Sequence, residues 1–178
     1  TTLDEAVGDL IDGNCLLLFP GSERALSFNT GTEEKRGIGD PENEVSVKGP
    51  RDSFVENLRT NTSLVRRHLK APELRIGEQI VGRQSLTPVD ILWVEGIADP
   101  DTVEELKRRV EDIDIDALLA TGNLEEYIAD ELDTAFPLLQ YTERPDRFCY
   151  GLCQGRVGVL VEGLPLGYLA PAVMGDFL

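Results

Sequence analysis

A short stretch in the middle of the chain carries apolar side chains on both faces of a predicted strand. The apolar residues of this stretch are Val89, Ile91, Leu92, Trp93 and Val94. Side chains alternate between the two faces of a strand, so a strand that is apolar on both faces has to be covered on both. The stretch therefore favours an interior strand of a sheet with helices on each side, as in a covered parallel sheet.

Helical patterns lie on both sides of this strand. Apolar residues recur at intervals of three and four across residues 51–69, which predicts a helix there. Asp99 and Pro100 predict the beginning of a second helix, because Asp caps the first turn and Pro fits the first helical position. Shorter helices are predicted over residues 3–12, 123–131 and 145–155.

Further strands are predicted between these helices, and together they define the fold class. The predicted strands or extended segments are residues 15–19, 24–28, 45–47, 74–82, 137–141, 157–161 and 164–169. This alternation predicts an α/β fold with mixed sheet layers and flanking helices. The 178 residues suit one domain or two small lobes, which we place at residues 1–83 and 84–178.

The charge of the chain limits its partners. The formal net charge is −16, although residues 45–83 carry eight basic and four acidic side chains. A strongly acidic protein repels phosphate, so we expect no nucleic-acid partner. Three cysteines without framework spacing fit a reducing compartment. The chain begins with Thr1 rather than Met, and we expect it to be a fragment of a longer protein.

A metal site is one interpretation of three alternating aspartates. Asp112, Asp114 and Asp116 could bind calcium, but Ala117 and Asn123 stand where a calcium loop needs Gly and Glu. An exposed segment that leaves a helix is the favoured interpretation.

The cysteines and the histidine give little support to catalysis. Cys149 and Cys153 lie four residues apart, which fits two metal ligands less well than two buried core thiols. His68 is the one histidine and is interpreted as a solvated residue at a helix end. Because no nucleophile is paired with a base, we predict a protein that is not an enzyme and needs no cofactor or metal.

An arginine cluster on the predicted helix 51–69 is the first candidate functional feature. Arg51, Arg59, Arg66 and Arg67 form the main basic cluster of an acidic chain. They could bind an anion or an acidic partner, or equally form internal ion pairs with the acidic second half. Asn61 lies on the apolar face of the same helix, so we expect it to hydrogen bond to neighbouring backbone.

A polar junction between a strand and a helix is the second candidate. It consists of Gln140, Tyr141, Thr142, Glu143, Arg144, Pro145 and Asp146. Such junctions hold ligands in many α/β proteins, and they serve equally well as helix caps.

The same stretches resemble the A subunits of GerA-type spore germinant receptors over nearly the whole chain. The similarity rests on several irregular pieces in the same order, namely Gly49-Pro50-Arg51, Leu58-Arg59-Thr60-Asn61, Val81-Gly82-Arg83, Glu95-Gly96-Ile97-Ala98-Asp99-Pro100, Phe136-Pro137, Gln140 to Asp146 and Gly155-Arg156-Val157. Glu95 becomes a candidate residue through this resemblance. Gln84, Trp93, Cys149 and Cys153 depart from the family pattern.

The resemblance implies a soluble sensing and signalling part of a membrane receptor that triggers germination. It implies B and C subunits and other A subunits as partners, nutrients such as amino acids or sugars as triggers, and the inner membrane of the spore as the location of the parent protein. This domain would lie on the cytoplasmic side. Either the helix 51–69 and the junction 140–146 relay a change of shape, or the domain itself binds a small nutrient.

Overall fold

The computed structural model describes residues 3–30, 52–118, 127–128 and 139–172. The helices are α1 (Leu3–Ile11), α2 (Leu58–His68), α3 (Pro100–Glu111) and α4 (Pro145–Cys153). The strands are β1 (Asn14–Leu18), β2 (Ala25–Asn29), β3 (Leu74–Val81), β4 (Thr87–Val94), β5 (Gln140–Thr142), β6 (Val157–Val161) and β7 (Gly167–Ala170).

One sheet organises most of the described chain. Its strand order is β3-β4-β6-β7-β5, and every neighbouring pair is antiparallel. The mixed α/β class is confirmed, but the parallel sheet predicted around β4 is wrong. The burial of β4 on both faces comes from the helices packed on each side of the sheet, which an antiparallel sheet allows equally well.

Helices cover both faces of this sheet, so two apolar cores form. Buried residues of α3, including Val103, Leu106 and Val110, pack against Val89 and Ile91 on one face. The other core contains residues of α2 and α4 packed against the opposite face, namely Leu64, Val65, Phe148 and Leu152 with Leu92, Leu160 and Leu169. The order of layers is therefore α3, then the sheet, then α2 with α4.

The position predicted as a lobe boundary lies in a β-hairpin. β3 and β4 pair along their full lengths, from Leu74 with Val94 to Val81 with Thr87. Leu74 and Leu92 also belong to the same apolar core. Residues on the two sides of position 83 therefore share one sheet and one core.

The N-terminal hairpin forms a separate two-stranded sheet. β1 pairs with β2 in antiparallel register, and α1 has no buried residue. Leu17, Leu26 and Phe28 are about half exposed. Lys70, just after α2, forms an ion pair with Asp12 at the end of α1. The predicted helix 3–12 and the predicted hairpin are confirmed.

Helix α2 begins seven residues later than predicted. The side chain of Asn57 accepts a hydrogen bond from the Thr60 amide and caps the helix. Phe54 is buried, as predicted, but from an extended segment before the helix. The predicted strand 45–47 and Arg51 lie outside the described residues, as does most of the predicted helix 123–131.

Two other predictions on the surface and core have clear outcomes. Asp112, Asp114 and Asp116 are exposed while Ile113 and Ile115 pack against the core, as the favoured interpretation required. Cys149 is buried, but Cys153 is exposed, so the prediction of two core thiols is wrong for Cys153.

Within the described residues, no helix combines the length and apolarity needed to cross a bilayer.

Candidate functional site

An extended segment joins α2 to the predicted junction. We call residues 52–57 the strap. The amide of Phe54 donates a 2.8 Å hydrogen bond to the carbonyl of Glu143, and the amide of Gly163 donates a 2.7 Å bond to the carbonyl of Glu56. The strap therefore connects the beginning of α2 to the β5–α4 junction and to the β6–β7 turn, which are distant in sequence.

Asn61 holds the strap against α2. Its side chain is fully buried, at 0% exposure. The side-chain Nδ2 of Asn61 donates to the Val55 carbonyl at 2.6 Å, and its side-chain Oδ1 accepts from the Val55 backbone amide at 2.8 Å. The predicted hydrogen bonding of Asn61 to neighbouring backbone is therefore observed, and the same residue satisfies both backbone groups of Val55.

An aromatic contact joins the strap to α4. The rings of Phe54 and Phe148 lie 5.4 Å apart between centroids and are nearly perpendicular, at 88°. This edge-to-face geometry is a favoured one for aromatic pairs. Both rings are buried, and their contact links the strap to α4.

His68 closes the strap at its other end. Its Nε2 lies 2.6 Å from Oδ2 of Asp52, and both side chains are about four-fifths buried. The prediction of a solvated histidine is therefore wrong, because the strap folds back along α2 and places a carboxylate beside the imidazole. Asp52 lies 16 residues before His68, so no helical spacing reveals the pair.

Arg144 and Asp146 form a sheltered ion pair at the beginning of α4. Arg144 Nε donates to Asp146 Oδ1 at 3.0 Å and Nη2 donates to Oδ2 at 2.6 Å. Burial alone would raise the pKa of Asp146, but the hydrogen bonds and charge of Arg144 outweigh burial and hold that pKa below its ordinary value. The pair fixes the turn that leads from β5 into α4.

The lowered pKa of Asp146 predicts a specific pH dependence. Its stabilising contribution is complete above the unfolded pKa of about 4 and is lost as pH falls through the lower folded pKa. We expect Asp146→Asn to reduce the free energy of unfolding by about 1–2 kcal/mol at pH 7, and this deficit to shrink below about pH 4. Urea unfolding monitored by circular dichroism at several pH values measures both quantities.

Asp114→Asn is the matched control for this prediction. Asp114 also pairs with an arginine, Arg83, but both side chains are exposed. Solvent screens such a pair, so we expect a loss below about 0.5 kcal/mol at pH 7. Equal losses in the two variants, or an Asp146→Asn deficit that is constant with pH, would contradict the assignment.

The remaining junction residues divide between the interior and the surface. Thr142 is buried and its hydroxyl accepts from the Arg144 amide at 3.1 Å. Gln140 Oε1 accepts from buried Arg156 at 2.6 Å. Tyr141 is exposed. Glu143 contributes its carbonyl to the strap.

Three further candidate residues are exposed and take no part in these contacts. Arg59 is exposed and lies 3.5 Å from Glu78, and Arg66 is exposed. Glu95 forms an exposed ion pair with Arg75. Arg51 is outside the described residues. Arg59 and Arg66 are thus surface residues of α2, whereas the buried contacts come from Asn61, Glu143, Arg144 and Asp146.

We call the assembled contacts the α2–α4 corner. It consists of Asp52, Phe54, Asn61, His68, Glu143, Arg144, Asp146 and Phe148. Asp52, His68 and Phe148 were not predicted as members from the sequence. The apolar spacing around Phe54 was visible in the sequence, but the carbonyl of Glu143 as its partner was not.

Cys149 lies near the His68–Asp52 pair but lacks the properties of a nucleophile. Its thiol is buried and lies 3.7 Å from the Val65 carbonyl. Burial raises the pKa of Cys149 to about 12, with smaller contributions from Cys153, Asp146 and Asp52. A reactive cysteine needs a lowered pKa, so this group has the character of a structural thiol.

The chain is similar to spore germination proteins along its whole length. It matches a family model described as Bacillus/Clostridium GerA spore germination protein over residues 1–178. It is 38% identical over 174 residues to spore germination protein KA of Bacillus subtilis (strain 168), covering 98% of this chain and 32% of that protein. It is 34% identical over 171 residues to the membrane protein YfkQ of the same organism, covering 96% of this chain and 33% of that protein.

The fold is also similar to a solved structure. The crystal structure of the N-terminal domain of the A subunit of the Bacillus megaterium spore germinant receptor GerK3 matches with a TM-score of 0.69 and 34% identity. The match covers 96% of this chain and 60% of that chain. The chain spans about a third of the length of the two curated relatives. This chain belongs to the GerA family of spore germination proteins.

Proposed function

We propose that this chain is a non-catalytic, signal-transducing domain of a nutrient germinant receptor, and that the α2–α4 corner relays a change of shape within it. The observation that carries the proposal is the 2.8 Å hydrogen bond from Phe54 to Glu143, because it couples α2 to the β5–α4 junction through buried groups. Asn61 and the Phe54–Phe148 contact make the coupling rigid.

Membership of the family supports a setting for this relay. The parent protein would lie in the inner membrane of the spore with this domain on the cytoplasmic side, in contact with B and C subunits and other A subunits. Arg66 and Arg67 are exposed on α2, so they are available to an acidic surface of such a subunit. A change at that surface would reach α4 through the strap.

The contacts of the junction favour the relay over a nutrient site at the same residues. Thr142 bonds to the Arg144 amide, Arg144 to Asp146, and the Glu143 carbonyl to Phe54. These polar groups are already used within the protein, so an amino acid or sugar would have to displace them.

Asp52→Ala tests the relay. The change removes the partner of His68 at one end of the strap, so we expect the strap to loosen while the two apolar cores remain intact. In spores whose receptor carries this domain, we expect the rate of nutrient-triggered germination to fall by about tenfold, the change produced by a coupling loss of 1.4 kcal/mol. The measurement is the loss of optical density after nutrient addition.

Asp12→Ala is the control at the same end of α2. It removes the exposed ion pair with Lys70 and leaves the strap untouched. Germination in this variant should proceed at the normal rate. Normal germination in a folded Asp52→Ala receptor present at the normal level would refute the relay.

A further inference from the structure

A cavity lies on the side of α2 that faces β3 and β4, outside the α2–α4 corner. Its volume is about 210 Å³, and it is bordered by the beginning of α2, the second half of β3 and the beginning of β4, with Glu162 of the β6–β7 turn at one side. Of the residues that line it, Arg59 was predicted from the sequence as a candidate functional residue.

A buried carboxylate lines this cavity. Asp90 of β4 is only 4% exposed. Its Oδ2 accepts a 2.8 Å hydrogen bond from the Thr62 hydroxyl, and among the described residues Oδ1 has no hydrogen-bond partner. Because Thr62 occupies one of the two carboxylate oxygens, Oδ1 remains able to accept a hydrogen bond from a ligand in the cavity.

The surroundings of Asp90 are acidic. Glu162 and Glu78 also line the cavity, and Glu162 Oε2 accepts from the Leu58 amide at 2.8 Å. Arg59 stands at the rim, where its side chain is 83% exposed and lies 3.5 Å from Glu78. Burial raises the pKa of Asp90, although the Thr62 hydrogen bond and the charges of Arg59 and Arg66 oppose this effect. Three carboxylates and one arginine line the cavity, so its lining carries a net negative charge.

The walls of the cavity are aliphatic. Leu58, Ile80 and Pro88 line it together with the carboxylates. Ile80 is 68% exposed although its side chain is large and apolar. Ile80 and Pro88 are directly paired across β3 and β4, so they form one continuous apolar wall on the same face.

These features select one class of ligand. Within the described residues, no group of three or more His, Cys, Asp or Glu side chains is placed to hold a metal ion. A primary ammonium group instead supplies three donors and one positive charge, and an attached alkyl chain matches an aliphatic wall.

We propose that this cavity binds a primary alkylammonium ion, which donates hydrogen bonds to Asp90 and Glu162 while its alkyl chain lies along Ile80 and Pro88. The site is independent of the relay function, because none of its residues belongs to the α2–α4 corner.

A titration of the ¹⁵N-labelled chain with n-butylammonium chloride tests this site. We expect saturable shifts of the amide signals of Thr62, Ile80 and Asp90. The neutral analogue 1-butanol and the anion butyrate should give no saturable shift at these residues. Tetramethylammonium chloride at the same concentration controls for ionic strength and for general attraction to a protein of charge −16.

Two variants define the polar and apolar parts of the site. Asp90→Asn keeps an acceptor for Thr62 and removes the charge, so we expect Kd for n-butylammonium to rise by about tenfold or more. Ile80→Ala changes an exposed side chain, so the fold is at little risk, and it should weaken n-butylammonium binding but not methylammonium binding. Asp116→Asn removes the same charge from an exposed position and should leave Kd unchanged.

Several outcomes would overturn the proposal. These are equal shifts with butylammonium and tetramethylammonium, saturable shifts confined to other parts of the protein, or an unchanged Kd in a folded Asp90→Asn variant. An effect of Ile80→Ala that is the same for methylammonium would remove the role assigned to the aliphatic wall.

Discussion

The Gly158→Ala variant should unfold with a free energy about 3 kcal/mol lower than the parent chain, the upper part of the range for overpacking a core. A Cβ atom at Gly158 would lie 2.2 Å from Cζ of Phe148 and 2.9 Å from its two Cε atoms. Phe148 is fully buried between α4 and the sheet, so its ring has no free space to enter. Thermal unfolding followed by circular dichroism should show a melting temperature lower by roughly 6–12 °C.

A second glycine shows that this close approach is a property of the sheet. A Cβ at Gly167 of β7 would lie 2.7 Å from the same ring. Two neighbouring strands therefore present bare backbone to Phe148, and the ring holds α4 close to the sheet. Phe148 also contacts Phe54 of the strap, so the packing of this ring sets the position of the α2–α4 corner.

Gly77→Ala and a double variant separate the clash from a general effect of glycine in strands. Gly77 lies in β3, and a Cβ there would meet Trp93 at 3.5 Å, an ordinary contact. We expect Gly77→Ala to change stability by less than about 1 kcal/mol. In a Phe148→Leu background, the added cost of Gly158→Ala should fall below about 1 kcal/mol, since the clashing ring is gone. Additive losses would show that Phe148 is not the obstacle.

Asn61→Ala is expected to cost roughly 2–4 kcal/mol. The change leaves both the amide and the carbonyl of Val55 without their partners, and each unsatisfied buried group costs about 1–3 kcal/mol. Val55 is half-buried, so water recovers part of this loss. Urea unfolding gives the free energy, and hydrogen exchange at the Val55 amide should accelerate together with it.

Ser63→Ala is the control for Asn61 on the same helix. Ser63 is exposed and its hydroxyl donates to the Arg59 carbonyl within α2. We expect a change within about 0.5 kcal/mol, which is usual for surface substitutions. If Asn61→Ala were as mild as Ser63→Ala, the strap would not depend on Asn61.

Local patterns predicted those parts of the fold that neighbouring residues determine. The Asp99 cap and the apolar face of α3 follow from spacing within twelve residues, and the structure has both. The first turn of α2 was misplaced because Asn57 competes with the helical spacing before it. Phe54 lies at the helical interval from Leu58, yet the cap formed by Asn57 makes the helix begin at Leu58 and leaves Phe54 in an extended segment.

The candidate site depended on contacts that no local pattern contains. Asn61 was predictable, because a polar residue on an apolar face needs partners. The Phe54–Glu143 bond and the His68–Asp52 pair were not, because they depend on the path of the strap. Asp90 is an acidic residue within the apolar stretch used to identify β4, and only the structure shows the cavity beside it.

The strap has a consequence for the order in which the protein can assemble. The Leu58 amide at the beginning of α2 is bonded to Glu162, which lies 104 residues later, and the strap itself bonds to residues 143 and 163. Closing such long loops is slow, because their entropy is lost before the contacts form. As the chain leaves the ribosome, α2 and the β3–β4 hairpin must wait for β6 and β7 before either acquires its native surroundings.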